Sequence, residues 1–232
     1  MAAARNLRKR MNTIYTSPYF IIKKLQRNHF VKIFPLFKGT VLDLGCGTKP
    51  YKHYFSHSKY ISMDTSPGLS PSVCGVSHAI PFKKESFDTV LCTEVLEHVY
   101  DLQSTLTEIK QVLKKGGYLY ISLPQSWPLH YEPNDFWRFT CYGAEHLLTH
   151  AGLRVISTVK IGGIVSLLGQ HLVDAAWVTL TRQCGFLGER FAEKLASCLC
   201  LPASLAFYCL GTISDPLDKR FALGWAVLAK ND

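Results

Sequence analysis

Thr40-Val41-Leu42-Asp43-Leu44 is a short apolar run that stops at Gly45-Cys46-Gly47. No other feature of the chain restricts its fold as strongly. A short apolar run bounded by glycine reads as a buried strand. Two glycines directly after it permit a tight turn and let a ligand approach backbone that no β-carbon shields. Similar runs recur at Tyr60 to Asp64, Phe87 to Cys92, Tyr118 to Leu123, Arg154 to Ile161 and Leu223 to Ala229. Between them, Asp101 to Lys114 carries Leu102, Leu106, Ile109, Val112 and Leu113 at helical spacing, and Ala144 to His150 reads as a short helix. Residues 18–34 read as an amphipathic basic helix. Strands alternating with helices predict an α/β, doubly wound, mostly parallel sheet. Ligands of such sheets bind beyond the carboxyl ends of the strands, where strand order switches.

The glycine loop is ambiguous by itself. A dinucleotide-binding loop places a third glycine at position 50, and this chain has Pro50 there. Asp43 at the strand end suits a ligand bearing an ammonium and a sulfonium better than a pyrophosphate. Asp64 ends the next strand. A carboxylate at that place can accept both hydroxyl protons of a ribose, although Asp64-Thr65-Ser66-Pro67 is also good turn chemistry.

A third segment, Phe87-Asp88 followed by Thr93-Glu94-Val95-Leu96-Glu97-His98-Val99, sharpens the reading. Taken in order, VLDLGCGTKPY, YISMD, IPFKKESFDTVLCTEVLEHV, LKKGGYLYISLP and LGWAVLAK resemble the class I, Rossmann-like methyltransferases, and within them the small-molecule and lipid-directed subgroup. The resemblance runs from about residue 40 to 160 and resumes at the last strand. It implies a seven-stranded sheet whose last strand is antiparallel, and S-adenosyl-L-methionine as cofactor. By position, Asp43, Gly45, Cys46 and Gly47 would line its methionine portion, and Asp64 with Thr65 would hold the ribose. Thr93 and Glu94 would lie near the sulfonium. Where the family has an acid for the adenine amino group, this chain has Val76, with Ser77 next to it as a substitute. One lost hydrogen bond costs on the order of 1 kcal/mol.

Pro124 to Thr140 follows the fifth strand, on the rim where a methyl acceptor would enter. Trp127, Tyr131, Asp135, Trp137 and Arg138 are the candidate acceptor-binding residues, since aromatic and titratable groups crowded into one loop mark a pocket. The alternative is a structural ion pair of Arg138 with Asp135 or Glu132. An acceptor hydroxyl needs a base, and His130, then Glu132 and His98, are the candidates.

The chain carries a formal charge of +9, and residues 1–42 hold nine Lys/Arg and no acid. Such a segment suits anionic lipid or nucleic acid. A solvated basic helix and an organelle transit peptide are the alternatives. None of the eight cysteines forms a Cys-x-x-Cys pair, which points to free thiols in a reducing compartment. His53 and His57 could meet on a helix face, but no third ligand is near in sequence, so no metal site is expected. The domain reading is a basic segment 1–38 and a methyltransferase domain 39–232, interrupted by an apolar helical insert at 162–221. Within the insert, residues 195–213 carry no charge. A helical pair that covers the fold or touches a membrane is expected there, with a true span the least favoured form. The expected acceptor is therefore a lipid, a quinone or a lipid-linked saccharide, met by a cytoplasmic, membrane-associated enzyme. A soluble RNA or small-metabolite methyltransferase, and a non-catalytic cofactor-binding scaffold, are the competing readings.

Overall fold

The computed structural model describes residues 17–56 and 58–232. Seven strands are present: β1 (Thr40–Leu44), β2 (Lys59–Asp64), β3 (Val73–Cys74), β4 (Phe87–Thr93), β5 (Leu113–Pro124), β6 (Arg154–Ile161) and β7 (Gly224–Lys230). They form one sheet in the order β3-β2-β1-β4-β5-β7-β6. β1 runs parallel to β2 and β4, β2 to β3, and β4 to β5, whereas β7 runs antiparallel to β5. This is the Rossmann-like α/β fold expected, including the reversed last strand. The sequence of strands changes direction between β1 and β4, so the glycine loop after β1 opens at the switch point.

Burial on both faces explains why β1 is apolar without alternation: Val41, Leu42, Asp43 and Leu44 are all buried. Leu42, Leu44, Met63, Val90, Leu119 and Val227 build the sheet's share of the core. Helix α2 (Leu102–Val112) closes over it with Leu102, Leu106, Ile109 and Val112, and starts where the Asp101 side chain accepts the Ser104 amide. The boundary that moves most from the sequence reading lies between α2 and β5. The helix stops at Val112 because Leu113 is already extended and pairs with Phe87, which starts β5 five residues early. Pairing then shifts register to Thr89↔Tyr118, and Gly116 at φ 75° lies within the shift. The two-residue edge strand β3 has no pattern of its own and was not expected.

By their contacts, residues 30–160 with 224–232 form one compact unit, and the chain through His29 with 161–223 forms another. The first unit contains the sheet, α2 and α3 (Cys141–His150). The second contains the long helices α4 (Ile164–Gln183) and α5 (Glu189–Ser214) and α1 (Phe20–Ile33) as far as His29. In that unit the buried Gln170 amide donates to the Pro18 carbonyl at 2.8 Å and accepts the Ile22 amide at 3.2 Å. Of the basic segment, Arg5, Arg8, Lys9 and Arg10 lie outside the described residues.

Candidate functional site

The loop after β1 is held from two sides. The Cys46 amide donates to the Met63 carbonyl at 3.0 Å. The Gly47 amide donates to Asp64 Oδ2, and the Ser66 amide to Asp64 Oδ1, each at 2.9 Å. Gly45 and Gly47 both take left-handed backbone, at φ 66° and 48°. A β-carbon on Gly45 would lie 2.3 Å from Val95 Cγ2, while one on Gly47 would meet nothing within 4 Å. The loop therefore packs inward at Gly45 and leaves open space at Gly47.

Asp43 sits at the end of β1 and is buried; the Tyr60 hydroxyl donates to it. Burial pushes its carboxyl up to about 7, with neighbouring Asp64 adding to the rise. Glu94 directly follows β4 in left-handed backbone, φ 53°, with its amide donating to the Ser122 carbonyl at 3.1 Å. A non-glycine residue held there marks a constrained position. The Tyr51 hydroxyl binds the Thr93 side chain and feels both Glu94 and Asp43. Asp43, Asp64 and Glu94 thus stand at the carboxyl ends of β1, β2 and β4, with Asp64 bonded to the open Gly47, and their ionised forms favour a cationic ligand. Cys46 is no nucleophile: burial pushes its thiol up to about 11. Thr65 is exposed at the end of β2. Ser77 shares a hydrogen bond with Thr105 at 3.0 Å, and Val76 is exposed beside it.

The segment after β5 is braced by one ion pair. Arg138 Nη1 and Nη2 each donate to Asp135 at 2.7 Å, and Arg138 also donates to the carbonyls of Trp127, Pro128 and Trp137. The Arg138 guanidinium holds the Asp135 carboxyl far below the usual carboxylate range. The sequence placed both residues in acceptor binding; the structure spends them on each other and on the loop, the alternative pairing named above. What the loop presents outward is Tyr131 and Trp137, with Phe136 against Tyr100. Glu132 is exposed in the same loop.

His98 and His130 meet here with ring centroids 4.7 Å apart. His98 Nδ1 donates to the Asn134 carbonyl at 2.6 Å, and His130 Nδ1 faces the Pro128 carbonyl at 3.2 Å and Asp135 at 3.3 Å. His98 Nδ1 therefore carries its proton, and His98 Nε2 faces Glu97 Oε1 at 3.9 Å. Burial holds His98 below the ordinary histidine value. Beneath them lies Glu97, which sequence reasoning passed over. It is fully buried, and neither carboxyl oxygen has a hydrogen-bond partner among the described residues. Donor atoms of Glu97, His98 and His130 fall within 4.8 Å of one another. The trio could share a proton or hold a divalent cation, and a cation would first have to displace the Glu97 proton. Of the other histidine pair considered, His53 tilts against the Tyr54 ring with centroids 3.9 Å apart, and His57 lies outside the described residues.

Burial, helped by Glu94, pushes the Glu97 carboxyl up to about 9. The unfolded chain releases this proton near the ordinary glutamate value. Between those values the folded state holds the extra proton, so stability falls as pH rises and levels off above about 9. Glu97→Gln cannot titrate. Its unfolding temperature, read by thermal scans in chelator, should decline less than that of wild type between about pH 5 and 9. Parallel slopes would show that Glu97 ionises normally in the fold.

Residues 42–121 match the methyltransferase domain family. An uncharacterised protein of Methanocaldococcus jannaschii is 36% identical over 35% of this chain and 39% of its own length. The mitochondrial ubiquinone biosynthesis O-methyltransferase of mouse is 26% identical over 56% of this chain and 41% of its own length. The chain thus spans about two fifths of these relatives. Among solved structures, geranyl diphosphate C-methyltransferase of Streptomyces coelicolor, in complex with S-adenosyl-L-homocysteine, superposes with a TM-score of 0.59. It is 14% identical, over 90% of this chain and 79% of that one, and so is similar in fold. The sheet order and the loop at the switch point give the chain the Rossmann-like fold, and the segment 42–121 within it matches the methyltransferase domain family, the match that points to S-adenosylmethionine as cofactor.

Proposed function

We propose that this protein transfers the methyl group of S-adenosylmethionine to a lipid, a quinone or a lipid-linked saccharide at the cytoplasmic face of a membrane. The observation that carries the reading is the open glycine at position 47, hydrogen-bonded to Asp64 after the first strand, together with the paired rings of His98 and His130. The residues fit the cofactor. Asp43 with Gly45, Cys46 and Gly47 would hold its cationic methionine end, Asp64 and Thr65 the ribose, and Thr93 and Glu94 the neighbourhood of the sulfonium. Ser77 would stand at the adenine in place of the acid missing at Val76. When bound, the cofactor supplies an activated methyl group for in-line displacement. The protein's share is alignment, which can supply roughly 7–11 kcal/mol, and removal of the acceptor proton. His130 Nε2 would take that proton, with His98 or Glu132 as the other candidates. Trp127, Tyr131 and Trp137 would bound the acceptor, and Asp135 with Arg138 would hold their loop in shape. The quinone-pathway name of the mouse relative and the isoprenoid substrate named for the Streptomyces enzyme both favour an apolar acceptor.

The basic segment through residue 42 keeps one other enzyme reading in play, a soluble RNA or small-metabolite methyltransferase. Methyl-labelled cofactor incubated with membrane extract separates the two. Label should enter the organic phase. His130→Ala should cut that transfer about 10²–10⁴-fold while calorimetric cofactor affinity stays unchanged. Label confined to RNA or to water-soluble product would reject the lipid acceptor. No heat at millimolar cofactor would favour a non-catalytic scaffold.

A further inference from the structure

The unit formed by α4 and α5 is built with small residues inside and large apolar ones outside. α5 turns Ala192, Ala196, Ser197, Cys200, Ser204 and Gly211 inward, and α4 buries Ser166, Gly169 and Gln170 with one larger apolar residue, Val173. The two helices pack closely at these positions: a β-carbon on Gly169 would lie 2.3 Å from Phe207. Leucine and isoleucine face the other way. Leu199 and Leu210 are each 57% exposed and Ile213 is 75% exposed, with Leu168 and Leu172 exposed on α4. A water-facing helix alternates such residues with charges. Here the stretch 195–213 has none, so every exposed position on it, including Cys198, Pro202, Ala203 and Ala206, is uncharged. Small residues at a helix–helix contact with large apolar residues outside is the pattern of helices packed in lipid, where burying leucine between helices gains nothing. It is the reverse of a soluble core.

We infer that the outer face of α5, from Leu199 to Ile213, lies in the acyl layer of an anionic membrane as an integral part of the protein. Two observations select lipid over a second protein. The charges near the hairpin turn, Arg182, Glu189, Arg190, Glu193 and Lys194, leave the rest of α5 clear. Lys23, Lys24 and Arg27 of α1 belong to the same unit as α5, and Lys23 is exposed, which complements anionic headgroups. α4 is the less apolar helix, with Asp174 half-buried in its middle, so the embedded face belongs to α5. The inference goes further than surface association and does not depend on which acceptor is methylated.

Flotation of the full chain with vesicles tests it. The protein should float with phosphatidylcholine vesicles, more strongly when phosphatidylserine is included, and resist both high salt and alkaline carbonate. Leu199→Lys with Leu210→Lys alters only exposed positions. It should reduce flotation at least tenfold while cofactor binding and circular dichroism match wild type; Leu199→Ser with Leu210→Ser is the milder variant should the lysines impair folding. Three results would overturn the inference: a detergent-free monomer that does not float, flotation released by salt alone, or a dimer that the lysine pair dissociates. None of these touches the methyl-transfer reading, and a soluble acceptor would leave flotation unchanged.

Discussion

Gly45→Ala is expected to lower the unfolding temperature by about 4–20 °C, whereas Gly47→Ala should lower it by only about 2–8 °C and also abolish tight cofactor binding. Both positions are left-handed, so each alanine pays a backbone cost of roughly 1–2 kcal/mol. Only at Gly45 does the new methyl group enter packed space, 2.3 Å from Val95 Cγ2. Valine is branched at Cβ and cannot swing clear, so overpacking adds roughly 1–3 kcal/mol. A double-mutant cycle isolates this second cost. Val95→Ala removes the clashing methyl groups, and Gly45→Ala should then cost about 1–3 kcal/mol less than it does beside valine. At Gly47 the added β-carbon meets nothing within 4 Å and projects into the space assigned to the cofactor. Calorimetric affinity should therefore fall at least tenfold there, about 1.4 kcal/mol. A Gly47→Ala protein that binds cofactor as tightly as wild type would show that the cofactor does not lie over this part of the loop.

Much of that site was legible because short-range chemistry dictates it. An apolar run ending in two glycines yields β1 and its turn, and Asp64 closes the second such run in the same way. The boundaries that moved depend on pairing. Lys114 to Gly117 reads as a helix stop, yet Phe87 offers a partner to Leu113 and the chain becomes strand at once. β3 is two residues long and exists only because β2 has a free edge. Glu97 escaped notice for a related reason. Between Leu96 and His98 it looks like one more polar residue at a turn, and only tertiary packing seals both its oxygens from water. The acceptor loop shows the opposite failure. Asp135 and Arg138 stand three residues apart amid aromatics, which fits recognition of a ligand as well as it fits internal bracing. The fork geometry, with Arg138 also reaching the Trp127 and Pro128 carbonyls, decides for bracing.

That bracing makes Asp135→Ala the most damaging change outside the cofactor loop. The Asp135 side chain is 2% exposed and that of Arg138 25%. Removing the acid strands a guanidinium that retains only carbonyl acceptors. A fully buried pair broken from one side costs 3–5 kcal/mol; with a quarter of Arg138 in water, about 2–3 kcal/mol is expected here. The functional loss should be larger than the loss of stability. Asp135 Oδ2 also accepts the His130 amide at 2.9 Å, so the same carboxylate that holds Arg138 sets the position of the proposed base. Small displacements of a positioned group cost about 10²-fold in turnover, and that is the expected fall. Cofactor affinity should stay near wild type, because no contact of Asp135 reaches the loop after β1. Arg138→Lys keeps the charge but cannot fork, so it should give a smaller loss in the same direction. Equal losses of turnover and of cofactor affinity would show that the loop supports the cofactor, and unchanged turnover would remove His130 from the chemistry.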